Sequence, residues 1–166
     1  MTKTAIFLYA TIIVLLFACK KSDSVPQPAP KSQWTFDGVS IKAKASYVAF
    51  GENKLVAYDS TDRYGFGYGN FITIQFAKTD KPVTSSILKI PDWQVNRPME
   101  TTECMIYVGN TSDHSRPWGY ISCNGDEPVT LTVSSDGKLT ASFSNITVSS
   151  DGRNTTKKVS GTLIEE

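Results

Sequence analysis

Histidine occurs once in this chain, at His114, and cysteine only at Cys19, Cys104 and Cys123, which leaves little material for catalysis or metal binding. A zinc site ordinarily takes three or four His or Cys ligands, and no such set recurs at ligand spacing. Asp113, His114 and Ser115 are neighbours in sequence, but a catalytic triad is made by convergence in space, so they read as a solvated loop tip. Glycines with phosphate-cradling spacing are absent. Charge is equally uninformative: 17 basic residues balance 16 acidic ones, and no basic stripe offers itself to nucleic acid. No window sustains a helical hydrophobic period, so a helical bundle is excluded. The expectation is a non-enzymatic chain without catalytic residues, metal or cofactor.

Long apolar runs are scarce too, the one example being Ala5 to Ala18. It is shorter than the about 20 residues a membrane-crossing helix needs. Lys3 lies before it, the small residue Ala18 ends it, and Cys19-Lys20-Lys21 follow. A cation, an apolar core and a small residue at the cut are the parts of a secretory signal peptide. Leu16-Phe17-Ala18-Cys19 resembles the lipobox of bacterial lipoproteins. That resemblance implies a lipoprotein signal peptide at 1–18, removal of that segment, and an acylated Cys19 carrying diacylglycerol and an amide-linked chain. Several acyl chains hold a membrane stably where one does not. Lys20 in place of Asp resembles family members sorted to the outer membrane, facing either the periplasm or the cell surface. Residues 19–33 carry Pro26, Pro28 and Pro30 and almost nothing apolar. They read as a tether that, at about 3.1 Å per residue, reaches roughly 40 Å from the bilayer.

From Trp34 the composition changes to short runs of Val, Ile, Thr, Tyr and Phe broken by Gly, Asp, Asn and Pro. Residues 34–166 are therefore expected to form a single all-β domain. The pattern predicts an antiparallel β-sandwich of about ten short strands, with a calycin- or lipocalin-like β-barrel as the alternative. Strands are expected near Trp34–Phe36, Val39–Lys44, Tyr47–Phe50, Leu55–Tyr58, Phe71–Ala77, Ile87–Ile90, Glu103–Val108, Gly119–Cys123, Val129–Ser134, Lys138–Val148 and Val159–Ile164.

Two hairpins follow from register. Val129, Leu131 and Val133 alternate with polar residues, as do Leu139, Ala141 and Phe143, and both apolar sets must share a face. A two-residue Asp136-Gly137 loop would put Val133 opposite Thr140. A three-residue Ser135-Asp136-Gly137 loop pairs Val133 with Leu139, Leu131 with Ala141 and Val129 with Phe143, and gives Gly137 the left-handed position. The apolar phase then shifts before Ile146 and Val148, which predicts a bulge or bend at Ser144-Asn145 where the strand changes sheets. The final strand should return along Ile146 to Val148. In the second hairpin, Cys104 opposite Cys123 sets Ile106 against Ile121 and Val108 against Gly119, with Tyr107 and Tyr120 on the other face. In an exported protein such a pair is expected to form a disulfide.

Aromatic residues supply the remaining signal. Tyr64, Phe66 and Tyr68 alternate with glycine and would share one face of an extended strand. Rows of this kind mostly pack inward in β proteins; exposed, this one would stack on sugars or on a protein. Trp93, Arg116 and Trp118 are further candidate anchors of a binding surface. Taken together, the lipobox with Lys20-Lys21, the opening Trp34-Thr35-Phe36-Asp37-Gly38, and the closing Gly137–Phe143 and Val159–Leu163 patterns resemble small Bacteroidetes-type lipoproteins. The likeness implies location and an all-β fold and no particular chemistry. The expected role is a membrane-anchored domain that binds an envelope protein or serves structurally. A glycan-binding module and a barrel for a small apolar ligand are the alternatives.

Overall fold

The computed structural model of the chain describes residues 29, 31–49, 52–61, 67–77, 80–92, 97–111, 118–150 and 155–166. Ten strands form among them: β1 Ser32–Phe36, β2 Val39–Val48, β3 Lys54–Thr61, β4 Gly67–Phe76, β5 Ser86–Lys89, β6 Cys104–Asn110, β7 Trp118–Ser122, β8 Pro128–Val133, β9 Leu139–Ser150 and β10 Thr156–Ile164. The all-β expectation holds. The expected break between Lys44 and Tyr47 does not occur, because Ala43 and Ala45 continue the inward alternation begun by Ile41 and β2 runs through. β1 starts before the expected Trp34 because Ser32 is buried, its Oγ donating to the Ile164 carbonyl at 3.1 Å and accepting the Ile164 N–H at 2.8 Å.

The named strands pair antiparallel throughout. Their order is β10-β1-β2-β3-β4-β6-β7-β9, and β9 pairs again with β10, so eight strands close a ring. β8 and then β5 extend the sheet from β9. Of the two architectures the strand pattern admits, the barrel is the one formed. Its interior is filled by side chains: Trp34, Leu55, Ile72, Ile74, Ile106, Leu139, Ile146 and Leu163 are sealed from solvent. Each such burial stabilises by about 1.5–3 kcal/mol.

The β8–β9 hairpin has the expected register, with Val133, Leu131 and Val129 opposite Leu139, Ala141 and Phe143. Gly137 takes φ +77°, the left-handed position of a three-residue loop. The expected bulge is also present. Between the pairs Val159–Ile146 and Gly161–Phe143 the register slips, and Asn145 adopts φ +55° with its N–H on Ser160 Oγ at 2.8 Å. On one edge β9 pairs with β8 before the bulge and with β7 after it.

The β6–β7 hairpin differs from expectation by one residue. Tyr107 faces Ile121, Val108 faces Tyr120 and Gly109 faces Gly119. A one-residue slip turns every side chain of a strand to the other face. Tyr120 and Ser122 therefore share the inner face of β7, and Ser122 is buried with its Oγ accepting the Ile106 N–H at 3.0 Å. Ile121, the more apolar residue, suggested the opposite phase. The disulfide expectation is not met: the observed register does not set Cys104 opposite Cys123, and the two form no disulfide. Cys104 is fully buried beside Ile106, and burial pushes its thiol up to about 12. Cys123 continues the β7–β9 ladder, its N–H and its Sγ both meeting the Thr147 carbonyl at 3.1 Å and 3.8 Å.

Gly161 lies opposite Trp34, and a Cβ there would fall 2.7 Å from both the Gln33 carbonyl and Trp34 Cβ. Gly161→Ala is thus expected to destabilise the barrel by about 1–3 kcal/mol. At Gly119 the nearest atom to an added Cβ is the Val108 carbonyl at 3.8 Å, so Gly119→Ala should be near neutral; urea unfolding of both variants checks the contrast. Cys123→Ser should cost well under the about 3 kcal/mol that losing a disulfide of this loop length entails. Unfolding without reductant should leave both Cys104 and Cys123 open to maleimide, read by peptide mass.

Candidate functional site

Strand direction sorts the connections between the barrel's two ends. β1 runs from Ser32 to the turn Asp37-Gly38, where φ is +52° and +79°. At that same end β3 finishes opposite the start of β4, β6 opposite the start of β7, and β9 opposite the start of β10. Ser32 lies at the other end, with the last residues of β10 beside it.

A cleft of about 250 Å³ opens among the four hairpins, lined by Phe36, Asp37, Val39, Ile41, Asn70, Tyr120 and Lys157. Its floor is apolar. The Phe36 and Tyr120 rings lie 5.2 Å apart with 60° between their planes, Ile41 is buried beneath, and Val39 stands 58% exposed. Lys157 Nζ sits 5.5 Å from the Phe36 ring centre and 5.4 Å from that of Tyr120. It also pairs with Asp37. The Asp37 hydrogen bond, opposed by partial burial, holds the ammonium above its ordinary pKa. On the β4 side Asn70 is fixed by Asp59, donating from its backbone N–H at 2.9 Å and from Nδ2 at 2.7 Å, while its Oδ1 accepts Asn110 Nδ2 at 2.8 Å. Such a cleft can hold a ligand with an apolar face and polar edges; among the described residues that line it, none is a nucleophile aligned with a base.

The expected binding residues are distributed unevenly. Tyr64, Phe66, Trp93 and Arg116, like Cys19 and His114, lie outside the described residues. The backbone of Tyr68 pairs with Ser60 and that of Trp118 with Asn110, so both positions fall at the hairpin end. Trp93 belongs to the β5–β6 connection, which is not one of those four hairpins. Phe36, Asp37, Val39, Tyr120 and Lys157 were not singled out by sequence. The Asp37-Gly38 turn was the available signal, because it places Phe36 and Val39 as the last pair of a hairpin.

Two other recesses are bordered by ion pairs or by an aromatic pair. The groove of about 370 Å³ floored by Phe76, Leu88 and Leu131 is bordered by Lys81, which pairs with Glu165 at 2.7 Å, and Glu103, held by Arg97 at 2.9 Å and 2.5 Å. A shallower hollow on the outer face of β3 and β4 carries the Tyr58 and Phe71 rings, 5.9 Å apart. Among the described residues no three His, Cys, Asp or Glu side chains gather as a metal would require. No protein-family model, curated protein or solved structure matches the chain.

Glu127 is the most heavily bonded carboxylate near the bulge. It accepts the Thr147 N–H at 2.7 Å, Thr147 Oγ1 at 2.6 Å, Asn124 Nδ2 at 3.1 Å and Lys158 Nζ at 3.4 Å. Burial raises its pKa, but the Thr147 and Asn124 hydrogen bonds and the Lys158 charge together outweigh burial, and the net shift is downward from the ordinary 4.5. A depressed carboxylate stabilises the fold above its unfolded pKa and loses that contribution as pH falls through the folded one. Glu127→Gln is expected to lose about 1 kcal/mol at neutral pH, since the group is partly open to solvent. The gap to the parent protein should close on acidification below about 4.5, the ordinary value; urea titrations at stepped pH read this directly.

Proposed function

We propose that the chain is a lipid-anchored protein of a bacterial outer membrane, held by an acylated Cys19, whose barrel is a non-enzymatic module that binds an envelope partner or serves structurally. The observation that carries this reading is the placement of Ser32 and the four hairpins at opposite ends of the barrel. A tether joined at Ser32 presents the cleft and its hairpins away from the bilayer. Positioning variable connections on a rigid scaffold is how binding surfaces are commonly built. A carrier of a small apolar ligand would need an open lumen, and Trp34, Leu55 and Ile106 occupy the interior instead.

Cys19→Ser should move the protein from the membrane to the soluble fraction on cell fractionation. Retention of that variant in the membrane would overturn the anchor.

A further inference from the structure

We infer that the cleft among Phe36, Val39, Tyr120 and Lys157 is a site for one ring of a neutral saccharide, an inference that rests on the hairpin end being the recognition end. The lining sets the chemistry. Phe36, Ile41 and Val39 make an apolar floor, and Asp37 and Lys157 form a polar edge of zero net charge. A cationic ligand would compete with Lys157 Nζ for the same two ring faces, which it already occupies at 5.5 Å and 5.4 Å. An anionic ligand would have to draw Lys157 from Asp37, its partner in the free protein. A polyhydroxylated ring needs neither exchange. Its C–H face lies on Val39, the floor residue that stands 58% exposed, its hydroxyls donate to the Asp37 carboxylate and accept from the Lys157 ammonium, and the ion pair stays intact.

Size and rigidity agree with that class. The volume of about 250 Å³ falls below the roughly 300–1,000 Å³ of pockets that enclose drug-sized molecules, so a single ring fits and a longer chain continues over the rim. Phe36 is only 5% exposed and belongs to the core. The floor is therefore set before a ligand arrives, which lowers the ordering cost that weakens saccharide binding.

The test is calorimetric titration of the full chain, kept in a zwitterionic detergent without sugar groups, with neutral hexamers of glucose, mannose and galactose and with a galacturonate hexamer. At least one neutral hexamer should bind saturably, and the galacturonate hexamer at least tenfold more weakly. Lys157→Met, Asp37→Asn and Val39→Asp should each weaken binding tenfold or more while the thermal unfolding midpoint stays close to the parent value. Tighter binding of the uronate, no saturable binding of any neutral hexamer, or unchanged affinity in well-folded variants would overturn the site. Fractionation of Cys19→Ser is independent of these titrations, so release from the membrane without saccharide binding overturns the ligand class and leaves the anchored module standing.

Discussion

The bulge in β9 is the constraint on which the barrel depends. A twelve-residue strand must serve three neighbours, β8 and β7 in succession on one edge and β10 along the other. It does so by turning at Asn145, whose φ of +55° is a conformation Asn tolerates better than most residues. The turn is held from both sides. Ser160 Oγ accepts the Asn145 N–H, and Lys158 Nζ donates to the Asn145 carbonyl at 3.0 Å and to Thr147 Oγ1 at 2.6 Å. Glu127, from the segment before β8, takes Thr147 and Lys158 together. Ring closure follows: beyond the bulge, Gly161 lets β10 approach β1 over the Trp34 side chain.

Local signals made the strands and one hairpin legible. The alternation of Val129 to Val133 against Leu139 to Phe143 admits one register when the loop is required to keep both apolar sets inward, and the break in phase before Ile146 announces the bulge. The same reasoning failed at β6 and β7 because the inner face of β7 is Tyr120 and Ser122. An aromatic with a polar tip and a buried serine satisfied by a backbone N–H look solvent-facing beside Ile121. Closure through β1 and β10 left no local trace, since their partners are separated by most of the chain. The leap from β4 to β6 was equally hidden, with β5 spliced instead onto β8.

The cleft was illegible for the same reason. Its floor combines β1, β2 and β7, and its cation comes from β10, so no spacing in the sequence announces that Phe36, Tyr120 and Lys157 meet. The aromatic-glycine row did stand out, and topology gives that signal a location: Tyr68 and Trp118 belong to adjacent hairpins of one barrel end. Trp93 shared the same composition cue and lies on a different connection. Aromatic content identifies candidates, and only strand direction groups them.

A filled interior also bears on where recognition can reside. With Trp34, Leu55, Ile72 and Ile106 packed inside, substitutions in the barrel wall meet core packing and cost stability. At the hairpin end the described lining includes exposed positions such as Val39 and Asp37, where substitution meets less packing. Phe36 joins the two regimes, being a core residue that also forms the cleft floor, its ring tilted against that of Tyr120 with Lys157 over it. Loosening the core beneath it would tilt the floor, whereas changes at Val39 or Lys157 alter the cleft and leave the ring of strands intact. Core packing and the shape of the cleft floor are thus coupled through one side chain, Phe36.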